Sequence, residues 1–225
     1  MPMNRIQNIA ERICRSFEAR NLARDSALLR SRKLIRHCAN SIRATHRLEF
    51  DTAVDLIHVA EEIATSLVSE LQAYPDLYYA GYTQDAMKEY AEANITYAFV
   101  KGNSLPNPEE LGVEYPAYLG GLAEAVGELR RHTLDLMRRG DTQRAEELLG
   151  IMDEVYDVLV TFDFPDAITR GLRRQTDMVR GVTERTRGEL TVAMRQDALR
   201  QALEDFEKRM TPDHSLRTSR EHDRV

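Results

Sequence analysis

Glu89/Glu92 and Glu124/Glu128 are two carboxylate pairs whose residue type and spacing could hold a metal ion. An i, i+3 or i, i+4 spacing on a helix stacks side chains one turn apart on one side. Two helices carrying such pairs, packed antiparallel, could bring four hard oxygen ligands into one small volume. Like charges that close raise each other's pKa or repel, and a divalent cation resolves the conflict. An oxygen-only set suits Mg²⁺ or Mn²⁺. The chemistry this would support is phosphate hydrolysis: the metal polarises the phosphate and acidifies an attacking water, while a carboxylate takes its proton.

The elements that must position these residues read as helices throughout, and no segment alternates as a strand. Residues 4–48 contain no Pro or Gly and form one long helix or two end to end. Asp51 is the expected N-cap of the next, with Val54, Ile57, Ala60, Ala64, Leu67 and Leu71 on its buried stripe. A Tyr-rich turn between Pro75 and Gly81 precedes a helix over about 83–101 that carries Glu89 and Glu92. A loop over 102–115 leads to Pro116, which fits a first helical turn because its missing N–H has no partner there. That helix carries Glu124 and Glu128 and stops at Gly140. Asp141 caps a further helix with Ala145, Leu148, Leu149, Met152, Val155, Tyr156, Leu159 and Phe162 facing inward, ended by Pro165. A last long helix spans 166–209, with bends expected near Gly171, Gly181 or Gly188. Residues 1–210 are thus expected to form a single all-α domain of about seven helices, and 211–225 a disordered polar tail.

Gly120, Gly121 and Gly127 lie three or four residues from Glu124. Each glycine costs about 1 kcal/mol inside a helix, so three together predict a close approach of another backbone or of a ligand. Glu89 shares a packed arc with Ala86, Tyr90, Ala93, Tyr97 and Val100. Neither Glu89 nor Glu92 is expected to have a basic partner on its own helix. His132, four residues after Glu128, could neighbour the site, although a surface histidine is the commoner outcome.

The formal charge of −6 excludes a protein that coats nucleic acid indiscriminately. It conceals a polarity: residues 1–50 hold eleven Lys/Arg against four Asp/Glu, and residues 51–130 hold three against fourteen. A polyanion surface apart from a metal site accounts for that division. On a helical wheel with Arg32 at 0°, Arg36, Arg43 and Arg47 fall between about 20° and 60°, and His46 at about −40°. Leu34, Ile35, Cys38 and Ile42 cluster on the opposite side. The arginines form one stripe roughly 22 Å long, suited to the spaced charges of a phosphate backbone. Salt bridges to nearby acids are the alternative, but Glu49 is the only acid between Asp25 and Asp51. Cys14 and Cys38 read as free thiols of a reducing cytosol. With no apolar run of membrane-span length and no signal-peptide pattern, a cytoplasmic protein without membrane attachment is expected. P-loop, GxGxxG, zinc and di-iron spacings and nucleophile motifs are absent from the sequence.

With these residues in hand, the chain resembles the translin family. Ala23-Arg24, Ser31-Arg32, Ile35-Arg36, Ile42-Arg43-Ala44 and His46-Arg47 are similar to that family's N-terminal basic helix. Glu89-Tyr90-Ala91-Glu92-Ala93 resembles a signature of its nuclease branch, translin-associated factor X. So does the segment Tyr118-Leu119-Gly120-Gly121-Leu122-Ala123-Glu124 with Gly127-Glu128-Leu129, where that branch more usually has Asp at the position of Glu124. Gly171-Leu172-Arg173-Arg174-Gln175-Thr176-Asp177, with Arg180, is similar to the family's last-helix motif. The likeness covers roughly residues 5–205, without the extended eukaryotic termini, and suits an archaeal-type homologue.

The resemblance implies a seven-helix bundle assembled into a hollow homo-oligomer, an octamer in this family, that binds single-stranded RNA or DNA. In the nuclease branch it also implies Mg²⁺-dependent endoribonuclease activity. Glu89, Glu92, Glu124 and Glu128 would then be the catalytic and metal-binding residues, and Arg32, Arg36, Arg43, His46 and Arg47 the nucleic-acid-binding ones. Two other readings stay open at this point: a non-catalytic single-stranded nucleic-acid scaffold, and an all-α nucleoside triphosphate pyrophosphatase. The latter usually has its two acidic pairs closer together than Glu92 and Glu124.

Overall fold

The structure, a computed structural model, describes residues 2–210; the expected tail at 211–225 lies outside the described residues. Six long helices account for most of it: α1 (Pro2–His46), α2 (Phe50–Leu71), α4 (Gly81–Lys101), α6 (Tyr115–Arg138), α7 (Thr142–Leu159) and α9 (Leu172–Met210). Between them lie three single turns, α3 (Pro75–Tyr78), α5 (Pro108–Leu111) and α8 (Asp166–Thr169). The nine among the described residues exceed the expected seven because the tyrosine turn, the 102–115 loop and the start of the last segment each fold a single helical turn, while the basic segment is one continuous helix. Arg170 and Gly171 both have positive φ, 52° and 83°, and this breaks α8 from α9. Gly181 and Gly188 are carried inside α9.

Local chemistry explains the other boundaries. Leu48 in a left-handed conformation (φ 62°) turns the chain from α1 to α2 without glycine or proline. Asp51 therefore lies inside the first turn of α2, two residues past the N-cap position expected for it, and Glu49 is the N-cap. Ala53, not Val54, opens the buried stripe of α2. Asp141 does cap α7, accepting from the Arg144 backbone N–H. Within the loop expected at 102–115, Asn107 and Glu110 form a reciprocal capping box that folds α5. The tyrosine turn likewise contains α3, with Pro75 in its first turn.

α1 packs on α2 and α4, α4 packs on α6, and α6 packs on α7 and α9. Apolar side chains buried along these contacts form one core, including Leu34 and Cys38 of α1, Leu67 of α2, Met87 and Ile95 of α4, Leu129 of α6, Met152 of α7 and Leu190 of α9. Burying each such side chain is worth about 1.5–3 kcal/mol. The first turns of α1 lie outside this core: Ile6, Ile9, Ile13 and Phe17 are exposed. No helix among the described residues is long and apolar enough to cross a membrane.

The contact that positions the site is between α4 and α6. A Cβ on Gly121 would stand 2.8 Å from the Glu92 backbone N, 2.8 Å from the Lys88 carbonyl O and 2.9 Å from Ala91 Cβ. The helices touch main chain to main chain there, which only glycine permits. Tyr78, just before α4, donates to Glu114, just before α6, and Arg144, just after α6, donates to the Phe99 carbonyl near the end of α4, so the pair runs parallel and not antiparallel as expected. Gly120 faces the Lys88 stem, whereas Gly127 has nothing within 4 Å of its Cβ position. The close approach expected of three glycines is therefore made by two. Gly121→Ala should destabilise the fold by about 1–3 kcal/mol, read as a lower urea midpoint; an unchanged midpoint would show that the helix pair can separate freely.

Candidate metal centre and basic helix

Glu89 and Glu92 leave one side of α4 and Glu124 leaves the facing side of α6. One carboxylate oxygen from each lies within 4.8 Å of the others. Glu92 is the deepest, 8% exposed, and forms no hydrogen bond among the described residues. Burial, then the charges of Glu89, Glu124 and Glu128, push its carboxyl up to about 8, against a weaker opposing pull from Lys88. Glu89 is shifted upward too, chiefly by burial. A buried acid among acids, with three convergent oxygens and no nitrogen or sulfur donor in the set, fits a hard divalent cation.

The fourth expected ligand is elsewhere engaged. Glu128 is not one of the converging set; its Oε2 accepts a 2.5 Å hydrogen bond from His46 Nε2. That bond holds the Glu128 carboxyl below the usual range despite burial. His46 itself was expected on the phosphate-facing stripe and is buried at 6% exposure, its ring turned to α6. At this end of α1 the ring meets Glu128 and His132 of α6, while the arginines stay exposed. His132 is buried rather than a surface residue, with its ring 6.1 Å from that of His46. Burial and the His46 ring lower its pKa.

Lys88 overturns the expectation that the acids lack a basic partner on their helix. It precedes Glu89 and stands four residues before Glu92, a spacing visible in the sequence. Its Nζ donates to Glu124 Oε1 at 2.5 Å and lies 3.9 Å from Glu89 Oε1. Burial pulls the ammonium down, but Glu124 and Glu89 outweigh it and the pKa is raised. Cys38 lies beneath the cluster, its thiol raised by burial and by the charges of Glu89 and Glu92. Cys14 is free and exposed, and Cys38 is free and buried.

On α1, Arg32, Arg36, Arg43 and Arg47 are all exposed along the expected stripe. Arg43 donates to Asn40 Oδ1 at 2.7 Å. Arg47 forms a two-pronged pair with Glu49, at 2.8 and 2.7 Å. Arg32 and Arg36 have no acidic partner among the described residues. His46, on the same helix, leads from this stripe to the acid cluster.

A helical bundle whose central pair converges carboxylates beside an arginine-rich helix is the class of protein these features define. No family model matches the sequence. The chain is 31% identical over 182 residues to the uncharacterized protein MJ0175 of Methanocaldococcus jannaschii, which covers 80% of each. It is similar to the crystal structure of AfC3PO, at 32% identity and TM-score 0.77 over 82% of this chain and 96% of that one. AfC3PO in complex with duplex RNA matches at 32% identity and TM-score 0.72, over 82% and 95%. Apo-NeC3PO, 21% identical, shares the fold at TM-score 0.75 over 81% and 96%. The chain belongs to the C3PO/translin-type family.

Proposed function

We propose that this protein is a metal-dependent endoribonuclease of the translin-associated factor X branch, acting on single-stranded RNA and also binding single-stranded DNA. The observation that carries the reading is the convergence of Glu89, Glu92 and Glu124 within 4.8 Å across the α4–α6 contact. Family membership and the RNA complex of AfC3PO support nucleic acid as the target. Mg²⁺ or Mn²⁺ held there would polarise the scissile phosphate and acidify a water. Glu92 would supply a buried and Glu89 a half-buried carboxylate to hold it, and one of the cluster would take the proton of the attacking water. Arg32 and Arg36, unpaired, and Arg43 hold the strand on α1, and Arg47 joins them on releasing Glu49. His46, buried against α6, holds Glu128 beside the converging set and does not touch RNA. A homo-oligomer, an octamer as in the family resemblance, would multiply such sites.

The test is a labelled single-stranded and a double-stranded oligoribonucleotide, each with and without Mg²⁺. Cleavage confined to the single strand with Mg²⁺, leaving 5′-phosphate and 3′-hydroxyl ends, supports the reading; 2′,3′-cyclic phosphate ends exclude water as the nucleophile. Binding by α1 has its own signature. In the double variant Arg32→Ala/Arg36→Ala, log K should depend less steeply on log salt, by about 1.4 for two lost single-strand phosphate contacts. An unchanged slope would place the strand elsewhere.

One observation favours a second reading. Lys88 already pairs with Glu124, and His46 already hydrogen-bonds Glu128, which suits a scaffold that binds single strands without hydrolysis. Tight, salt-dependent binding with no turnover in Mg²⁺ or Mn²⁺ would select it.

A further inference from the structure

Lys88 has a place in the acid cluster that neither phosphate binding nor packing requires. Its ammonium sits between carboxylates of both helices, 2.5 Å from Glu124 Oε1 and 3.9 Å from Glu89 Oε1. Those are two of the three residues whose oxygens converge. Its stem is held from the far side: a Cβ on Gly120 would meet Lys88 Cδ at 3.1 Å and Cγ at 3.2 Å. Glycine at 120 thus leaves the room in which the lysine lies across the helix contact. The Lys88 side chain is 21% exposed, so its charge acts through a partly desolvated medium where it counts for more than at a surface. An ammonium and a hydrated divalent ion cannot share the same carboxylate oxygens at these distances.

We propose that Lys88 is an internal counter-ion occupying the cation position between Glu89 and Glu124, and that a divalent metal must displace its ammonium to bind. The inference rests on the metal-site reading above. Lys88 then sets the metal concentration at which the site fills, and the metal-free fold is spared the mutual repulsion of three carboxylates. Displaced, the ammonium leaves the cluster and becomes available to solvent.

Two measurements test this without any assay of cleavage. Calorimetric titration with Mn²⁺ alone should give Lys88→Met a dissociation constant at least about tenfold lower than that of the native protein, as expected for removing one competing unit charge at this range. Equal affinities, or weaker binding by the variant, overturn the proposal and make Lys88 a support for Glu124. On the native protein, acylation followed by mass spectrometry should label Lys88 faster with Mn²⁺ than without, while Lys33 and Lys101 serve as references. A Lys88 labelling rate indifferent to Mn²⁺ also overturns it, even where Lys88→Met does not fold. Should the native protein and the variant both bind no Mn²⁺, the metal-site reading falls and this inference with it; binding by both with equal affinity removes the inference alone.

Discussion

Glu124→Gln should lose about 10²-fold or more of Mg²⁺-dependent cleavage of a single-stranded oligoribonucleotide, with affinity for that strand kept within about twofold. Glutamine keeps the length of the side chain and a hydrogen-bond acceptor for Lys88, but removes the charge that would hold the metal. Glu124 is one of the three convergent acids and projects from α6, whereas the proposed strand-binding arginines lie on α1, so chemistry and binding should separate. Gel-resolved cleavage and fluorescence anisotropy on one preparation make the comparison. If cleavage and binding fall together, Glu124 maintains the structure and the hydrolytic role goes elsewhere or disappears.

A second large effect is expected on stability. Glu92 holds its proton to about pH 8 in the fold, against an ordinary value of 4.5. A raised carboxyl binds its proton more tightly when folded, so its contribution is fully present below pH 4.5. It is lost as pH rises through the interval up to about 8. The metal-free native protein should lose stability by roughly 1.4 kcal/mol per pH unit from this group within that interval. Glu89, shifted the same way, adds to the trend. Glu128 is lowered by His46 and acts oppositely, losing its contribution on acidification below the ordinary carboxylate value. Glu92→Gln should be of similar stability to the native protein near pH 4.5 and more stable by several kcal/mol at pH 8.5, with the slope above pH 5 reduced. Denaturant unfolding at four or five pH values, in chelator, decides it. A variant that is less stable at every pH would show that the Glu92 charge is compensated in the fold.

Much of this architecture was legible in the sequence because 3.6-residue periodicity is a local property. The stripe of α7 from Ala145 to Leu159, the Asp141 cap and the paired phase of Glu89 with Glu92 need only their own helix to be specified. What a single helix cannot reveal is which neighbour covers each side. His46 shares the arginine side of α1 by angle, but α6 lies against that part of it and turns the ring into a partner for Glu128, 82 residues away. Lys88 was legible as the i−4 neighbour of Glu92, yet its strongest contact crosses to Glu124 on α6 and depends on the room left by Gly120. The break at Leu48 carries no glycine or proline, and only the capping type of Asp51 marked it, two residues beyond the actual cap. Gly127 shows the converse: the residue type suggested a tight approach that the neighbouring helices do not make.

The glycine seam at 121 reaches beyond packing density. Side chains that space two helices can rotate, and the gap they set can widen or narrow as they do. Peptide groups in direct contact have no such freedom, so α4 and α6 travel as a single strut whatever their outer faces experience. The acids ride on that strut at a main-chain separation set by direct contact, and the spacing of their backbones is thereby insulated from drift on the protein's exterior.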